Sequence, residues 1–271
     1  MSRKSGSRSK RSGKKFIRAK PQFSLPAGVM EELTRRIQEA RDQVVAHANE
    51  ILGKAARDFA RYPPEAQAKL LELMRTGWAI DPDQPLLFVR LMEGEFGGEA
   101  AAEAWVTGHY ISRMGEIETS LAMRHPERAE IMQDAFDAHR RGAYSLSVPV
   151  FLTQADGIVG ARYERTQLFS KSRCHGLASQ LKEMEKGQLA TMWAEILSGK
   201  AEISSNVRDL PENFSGLNRH AVLHGTDLGY GTEKNSLKAA SMLYMASLLA
   251  VSNPAGVVED GAGLPIDAKE V

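Results

Sequence analysis

Apolar residues return at steps of three and four along most of this chain, and that spacing limits what it can fold into. From Gly28, the residues Met30, Leu33, Ile37, Ala40, Val44, Ala48, Ile51, Ala55 and Phe59 trace one stripe of a long amphipathic helix. Such a stripe is core or helix-pairing surface. The helix stops before Tyr62-Pro63-Pro64, and Pro64-Glu65 opens another that runs through Leu70, Leu71 and Met74 to Gly77. Trp78 to Pro85 reads as a rigid connector in which Asp81 and Asp83, next to prolines, serve turns and caps. A short helix over Pro85 to Phe96 follows, closed by Gly97-Gly98. An Ala-rich helical stretch from Glu99 to about Arg124 then carries Trp105, Tyr110 and Ile117 as its bulky side chains.

The second half continues the pattern. A helix begins at Arg124-His125-Pro126 and runs through Ile131, Ala135, Phe136 and His139 to Arg140-Arg141-Gly142. Tyr144 to Tyr163 is apolar on most sides, which predicts a central buried helix, and Asp156 within it needs a cationic partner. After a polar loop over Phe169 to Gly176, a long helix is expected from Leu177 to Leu197. Pro211 and Glu212 are expected to start the next helix. Thr232 reads as the N-cap of a final one, with Leu237, Ala240, Tyr244, Leu248 and Val251 on a single stripe and Asn253-Pro254 as its stop. No strand pattern persists, and neither a Walker loop, a G-x-G-x-x-G nor a G-x-S-x-G motif is present. The fold class that follows is all-α, a helical bundle.

Chemistry concentrates in Leu217-Asn218-Arg219-His220-Ala221-Val222-Leu223-His224-Gly225, followed by Thr226-Asp227-Leu228-Gly229-Tyr230-Gly231-Thr232. On a helix His220 and His224 share a face, whereas Arg219 and His224 lie roughly 140° apart. Gly225 reads as the residue just past the helix end, so His224 sits in the last turn. Three readings compete. The first is a buried helix end whose polar residues satisfy free carbonyls. The second is a metal site on His220 and His224, but Ala221 stands where a zinc protease carries its glutamate and no firm third ligand is visible. The third is acid–base chemistry on a phosphodiester, with histidine moving the proton and arginine clamping phosphate oxygens.

Arg219-x4-His224, with a long helix downstream, resembles the R-x4–6-H signature of the HEPN superfamily. Tyr144-Ser145-Leu146-Ser147-Val148-Pro149 and Gln154-Ala155-Asp156-Gly157-Ile158 resemble segments that precede that motif in bacterial HEPN-like proteins. The resemblance covers roughly residues 126–252. It implies a small α-helical domain, a metal-independent endoribonuclease of the toxin or phage-defence kind, and a homodimer that sets two Arg219/His224 pairs face to face. It assigns catalysis to Arg219 and His224, with His220 beside them. Asn218 would help position substrate, Asp156 would orient Arg219 or His224, and Tyr230 would stack on a base or simply pack. An antitoxin or defence-system partner is a further expectation, and no cofactor or metal is required.

The domain plan expected is a disordered basic tail at 1–27, accessory N-terminal helices at 28–124, a HEPN-like bundle at 125–254 and a flexible tail at 255–271. Charge supports the first of these. Of 35 Lys/Arg and 34 Asp/Glu, nine basic residues and no acid fall in positions 1–20, leaving 26 basic against 34 acidic residues, a net of −8. The basic arm suits non-specific phosphate contact or solubility. The acidic body favours the alternative to catalysis, a non-catalytic helical scaffold that binds nucleic acid or protein. Cys174 is the single cysteine, so no internal disulfide forms and a reducing, cytoplasmic setting is expected. Neither a membrane-spanning apolar run nor a secretory signal is visible, so no membrane partner is expected.

Overall fold

The structure, a computed structural model, describes residues 27–60, 63–79, 99–162, 168 and 201–251. The tail over residues 1–26, the helices expected at Pro85–Phe96 and Leu177–Leu197, Cys174 and the tail over 255–271 lie outside the described residues. Among those described there are seven α-helices and no strand, so the all-α class holds. They are α1 (Ala27–Ala60), α2 (Pro64–Arg75), α3 (Glu99–Arg124), α4 (Ala129–Arg140), α5 (Tyr144–Arg162), α6 (Arg219–Leu223) and α7 (Glu233–Val251). No described helix is long and apolar enough to cross a membrane.

The chain divides into two units, Met1–Ala40 and Arg41–Val271. In the first, the described part of the apolar stripe is open to solvent: Val29, Met30, Leu33 and Ile37 are all exposed. Its charged flank is satisfied within the helix, where Arg35 pairs with Glu32 and Glu39 and Arg36 with Glu32. In the second unit one core runs from Ala48 and Ile51 through Leu70 and Trp78, then Tyr110, Phe136 and Phe151, to α7.

The axis of that core is α7. The sequence predicts one apolar stripe here, but every residue from Asn235 to Ala250 is buried. The reason is composition around the helix. Leu237, Met242, Leu243 and Leu248 are fully buried, each contributing roughly 1.5–3 kcal/mol. Ala239, Ala240, Ala246 and Ala250 let neighbours approach on the remaining sides. Thr232 caps the helix as expected, its Oγ1 accepting from Asn235 N–H at 3.2 Å. α5 packs most extensively against α7, and α3 also packs on it.

A helix buried all round must find partners for its polar side chains. Lys238 Nζ donates to Thr76 O at 2.5 Å and lies 3.4 Å from Glu103 Oε1. Ser241 Oγ accepts from Ala79 N–H at 3.1 Å. Ser236 Oγ lies 2.8 Å from His139 Nδ1 and 2.7 Å from Ser147 Oγ. Ser247 Oγ lies 2.8 Å from His125 Nε2. Ser236 and Ser247 are eleven residues apart, three turns along one face of α7. Of their two histidines, His125 precedes α4 and His139 lies in its last turn, and α4, as a 12-residue helix about 18 Å long, is comparable to that spacing. α7 therefore holds its neighbours by polar studs as well as by apolar contact.

Candidate functional site

The motif helix is shorter than the sequence suggests. Pro211 and Glu212 do not start it; α6 spans only Arg219–Leu223, and residues 211–218 approach it without helical structure. The boundary is set by Asn218. Its Oδ1 accepts from Ala221 N–H at 2.9 Å, capping the helix, while its Nδ2 donates to Glu202 O at 2.7 Å and Ser205 O at 3.0 Å. Asn218 is fully buried, so its amide holds α6 against the 201–205 turn and faces no solvent.

The far end is closed by a Schellman motif. Gly225 N–H bonds Val222 O at 3.1 Å, and Thr226 N–H bonds Ala221 O at 2.9 Å. Gly225 has φ +67°, a left-handed conformation that glycine adopts without strain. His224 is the C-cap residue, and its N–H still bonds His220 O at 3.0 Å, so the helical turn between the two histidines is intact.

Within this frame His220 and His224 are exposed and in ring contact, with centroids 4.2 Å apart and planes tilted by 54°. Desolvation pushes the His220 imidazole below its ordinary range, and the positive charge available at His224 and Arg219 pushes the same way. His220 is therefore a neutral base at physiological pH.

Arg219 is half-buried and anchored. Its Nη2 lies 3.2 Å from Asp156 Oδ2 on α5, and its backbone N–H bonds Ile203 O at 3.1 Å. Asp156 uses its other oxygen on Leu168 N–H at 2.7 Å. The cationic partner required by Asp156 is thus Arg219. The neighbouring residues of that segment hold a second arginine that the sequence does not single out. Arg128 Nη1 donates to Gln154 Oε1 at 2.9 Å, and its Nη2 donates to Gly157 O at 3.2 Å. A Cβ on Gly157 would sit 2.9 Å from Arg128 Nη1, so a side chain there would make the guanidinium shift. Gln154 and Gly157, at i,i+3 on α5, are the signal in the sequence that could have pointed to this dock.

Tyr230 bonds a carbonyl that Pro149 leaves without its helical donor. A proline inside α5 cannot donate to the carbonyl four residues earlier, and that carbonyl belongs to Ser145. Tyr230 Oη donates to Ser145 O at 3.0 Å, replacing the missing bond and tying the glycine-rich turn to α5. Both upstream segments therefore meet the motif: Tyr144–Pro149 through Tyr230, and Gln154–Ile158 through Arg219. Among the described residues no group of three or more His, Cys, Asp or Glu side chains is arranged to hold a metal ion.

Comparison with known proteins gives no match: no family model, curated protein or solved structure corresponds to this chain.

Proposed function

We propose that this protein is a metal-independent endoribonuclease of HEPN type, using Arg219, His220 and His224 on an RNA phosphodiester. The observation that supports the reading most is the pairing of an acid-anchored arginine with two exposed imidazoles in contact with each other, inside six residues. Cleavage by the neighbouring 2′-hydroxyl needs a base for that hydroxyl, an acid for the departing 5′-oxygen, and positive charge on the phosphate. Two imidazoles and one guanidinium supply those three groups. His220, neutral at physiological pH, suits the base, and His224 then serves as the acid. Arg219 carries the developing charge on the phosphoryl oxygens, and Asp156 fixes its position. Asn218 acts through the helix that it caps. The same reading takes a homodimer that pairs two such sites, with toxin or phage-defence roles and an antitoxin-like partner as its biological setting.

A second reading, a non-catalytic interaction scaffold, is favoured by the apolar stripe of Val29, Met30, Leu33 and Ile37, which offers a surface for another protein.

The test is total RNA incubated with the purified full chain in EDTA. Wild type is expected to release fragments ending in 2′,3′-cyclic phosphate, and Arg219→Ala to lower the rate by about 100-fold or more at unchanged helicity. A folded wild type that cuts nothing removes the ribonuclease reading and leaves the scaffold.

A further inference from the structure

The same two histidines carry a second capacity. We propose that His220 and His224 form a chelate for a borderline divalent transition ion such as Cu(II) or Zn(II), and that the ion inhibits the site instead of serving it.

The geometry starts from the backbone. The intact His224 N–H to His220 O bond places the two side chains one helical turn apart on one face. The Schellman cap fixes the backbone beneath His224. Two imidazoles on one ion each bind at about 2.0–2.1 Å through nitrogen. That puts each ring centroid about 3.1 Å from the ion, so neighbouring ligands at 90–110° have centroids about 4.4–5.1 Å apart. The observed separation is 4.2 Å, slightly short of that range, and both side chains are exposed.

Charge is compatible as well. Asp156, 3.2 Å from the Arg219 guanidinium, offsets part of the repulsion an incoming cation would meet. Imidazole donors select Cu, Zn and Ni over Mg and Ca, with Cu(II) bound most tightly among the divalent ions. Because the described residues offer no third protein ligand nearby, water completes the coordination sphere. The site is then an exchangeable one, unlike a closed structural zinc centre.

Occupation engages the lone pairs of both rings, so neither accepts the 2′-hydroxyl proton nor delivers one to the leaving oxygen. This inhibitory consequence rests on the ribonuclease reading; the chelate itself does not.

The test titrates the tag-free full chain with Cu(II) alone, followed by calorimetry and by the nitrogen couplings in its electron paramagnetic resonance spectrum. The expected result is one ion per chain with two imidazole nitrogens, weakened at least about tenfold by His220→Ala and equally by His224→Ala. Because both side chains are exposed, both variants are expected to keep the wild-type circular dichroism spectrum. Binding that both variants retain, or a spectrum with one nitrogen or none, overturns the chelate. In a parallel arm, Zn(II) suppresses RNA cleavage and EDTA restores it. Chelation by a chain that cuts no RNA upholds the site and removes the ribonuclease reading, so the two failures separate. Cleavage that persists with the chelate filled overturns the inhibitory role.

Discussion

Two pairs of histidines in this molecule show how surroundings assign work to one residue type. His125 and His139 are buried, and each meets one serine of the central helix α7. His220 and His224 stand in the open at a helix end, their rings in tilted contact beside an arginine held by an acid. Each member of the first pair commits one ring nitrogen to the fold. The second pair has both rings open to solvent. A histidine that spans between elements to a buried hydroxyl is structure, and one that shares an exposed face with a second imidazole has the access that the proposed chemistry needs.

Acid should separate the pairs most strongly. Burial pushes the His125 imidazole down to about 4, with Glu127 pulling back and Arg124 and Arg128 adding to the depression. The unfolded chain takes up that proton near 6.5, before the folded chain does, so stability is full above about pH 6.5 and falls as the pH drops toward 4. The expected loss from this residue is about 3 kcal/mol, levelling off below pH 4. Urea unfolding followed at a series of pH values measures it, and the same series on His125→Gln should show a shallower fall. A wild-type curve that stays flat from pH 7 to 4 would merge the buried pair with the exposed one. His139 is lowered too, chiefly by burial and against the pull of Glu233, and its contribution has the same sign.

A smaller effect is expected at Ser236. Replacing it by alanine leaves both His139 Nδ1 and Ser147 Oγ without that partner, at a cost of about 1–3 kcal/mol in unfolding free energy. Substitutions at His220 should leave thermal denaturation almost where it was, since its ring is exposed. Equal destabilisation by the two would mean that the surface pair also carries the fold.

Much of this architecture is legible in the sequence, and the parts that are not share a physical cause. Pro64 at a helix start, Thr232 as an N-cap and Gly225 just past a helix end are local signals, and each stands where it was expected. The motif helix begins late because Asn218, two residues after Gly216, bonds the turn at Glu202 and Ser205, a contact that sequence spacing does not encode. α7 reads as a one-sided helix because its alanines and serines count as weakly apolar or polar, yet they are what let neighbours close in on every side. The His139–Ser236 bond joins residues 97 apart in sequence, so only the packed bundle shows it. Pro149 is different. Its missing N–H announces an orphaned carbonyl at Ser145, and Tyr230 is the donor that fills it.

The most direct measurement takes His224→Ala and His125→Ala side by side, recording RNA cleavage in EDTA per folded molecule and the urea midpoint of each. His224→Ala is expected to lose about 100-fold or more in cleavage with its midpoint unmoved, whereas His125→Ala keeps its cleavage and unfolds at lower urea. If both variants lose both properties, or if His125→Ala is the one that stops cutting, the division of labour between the two pairs is wrong.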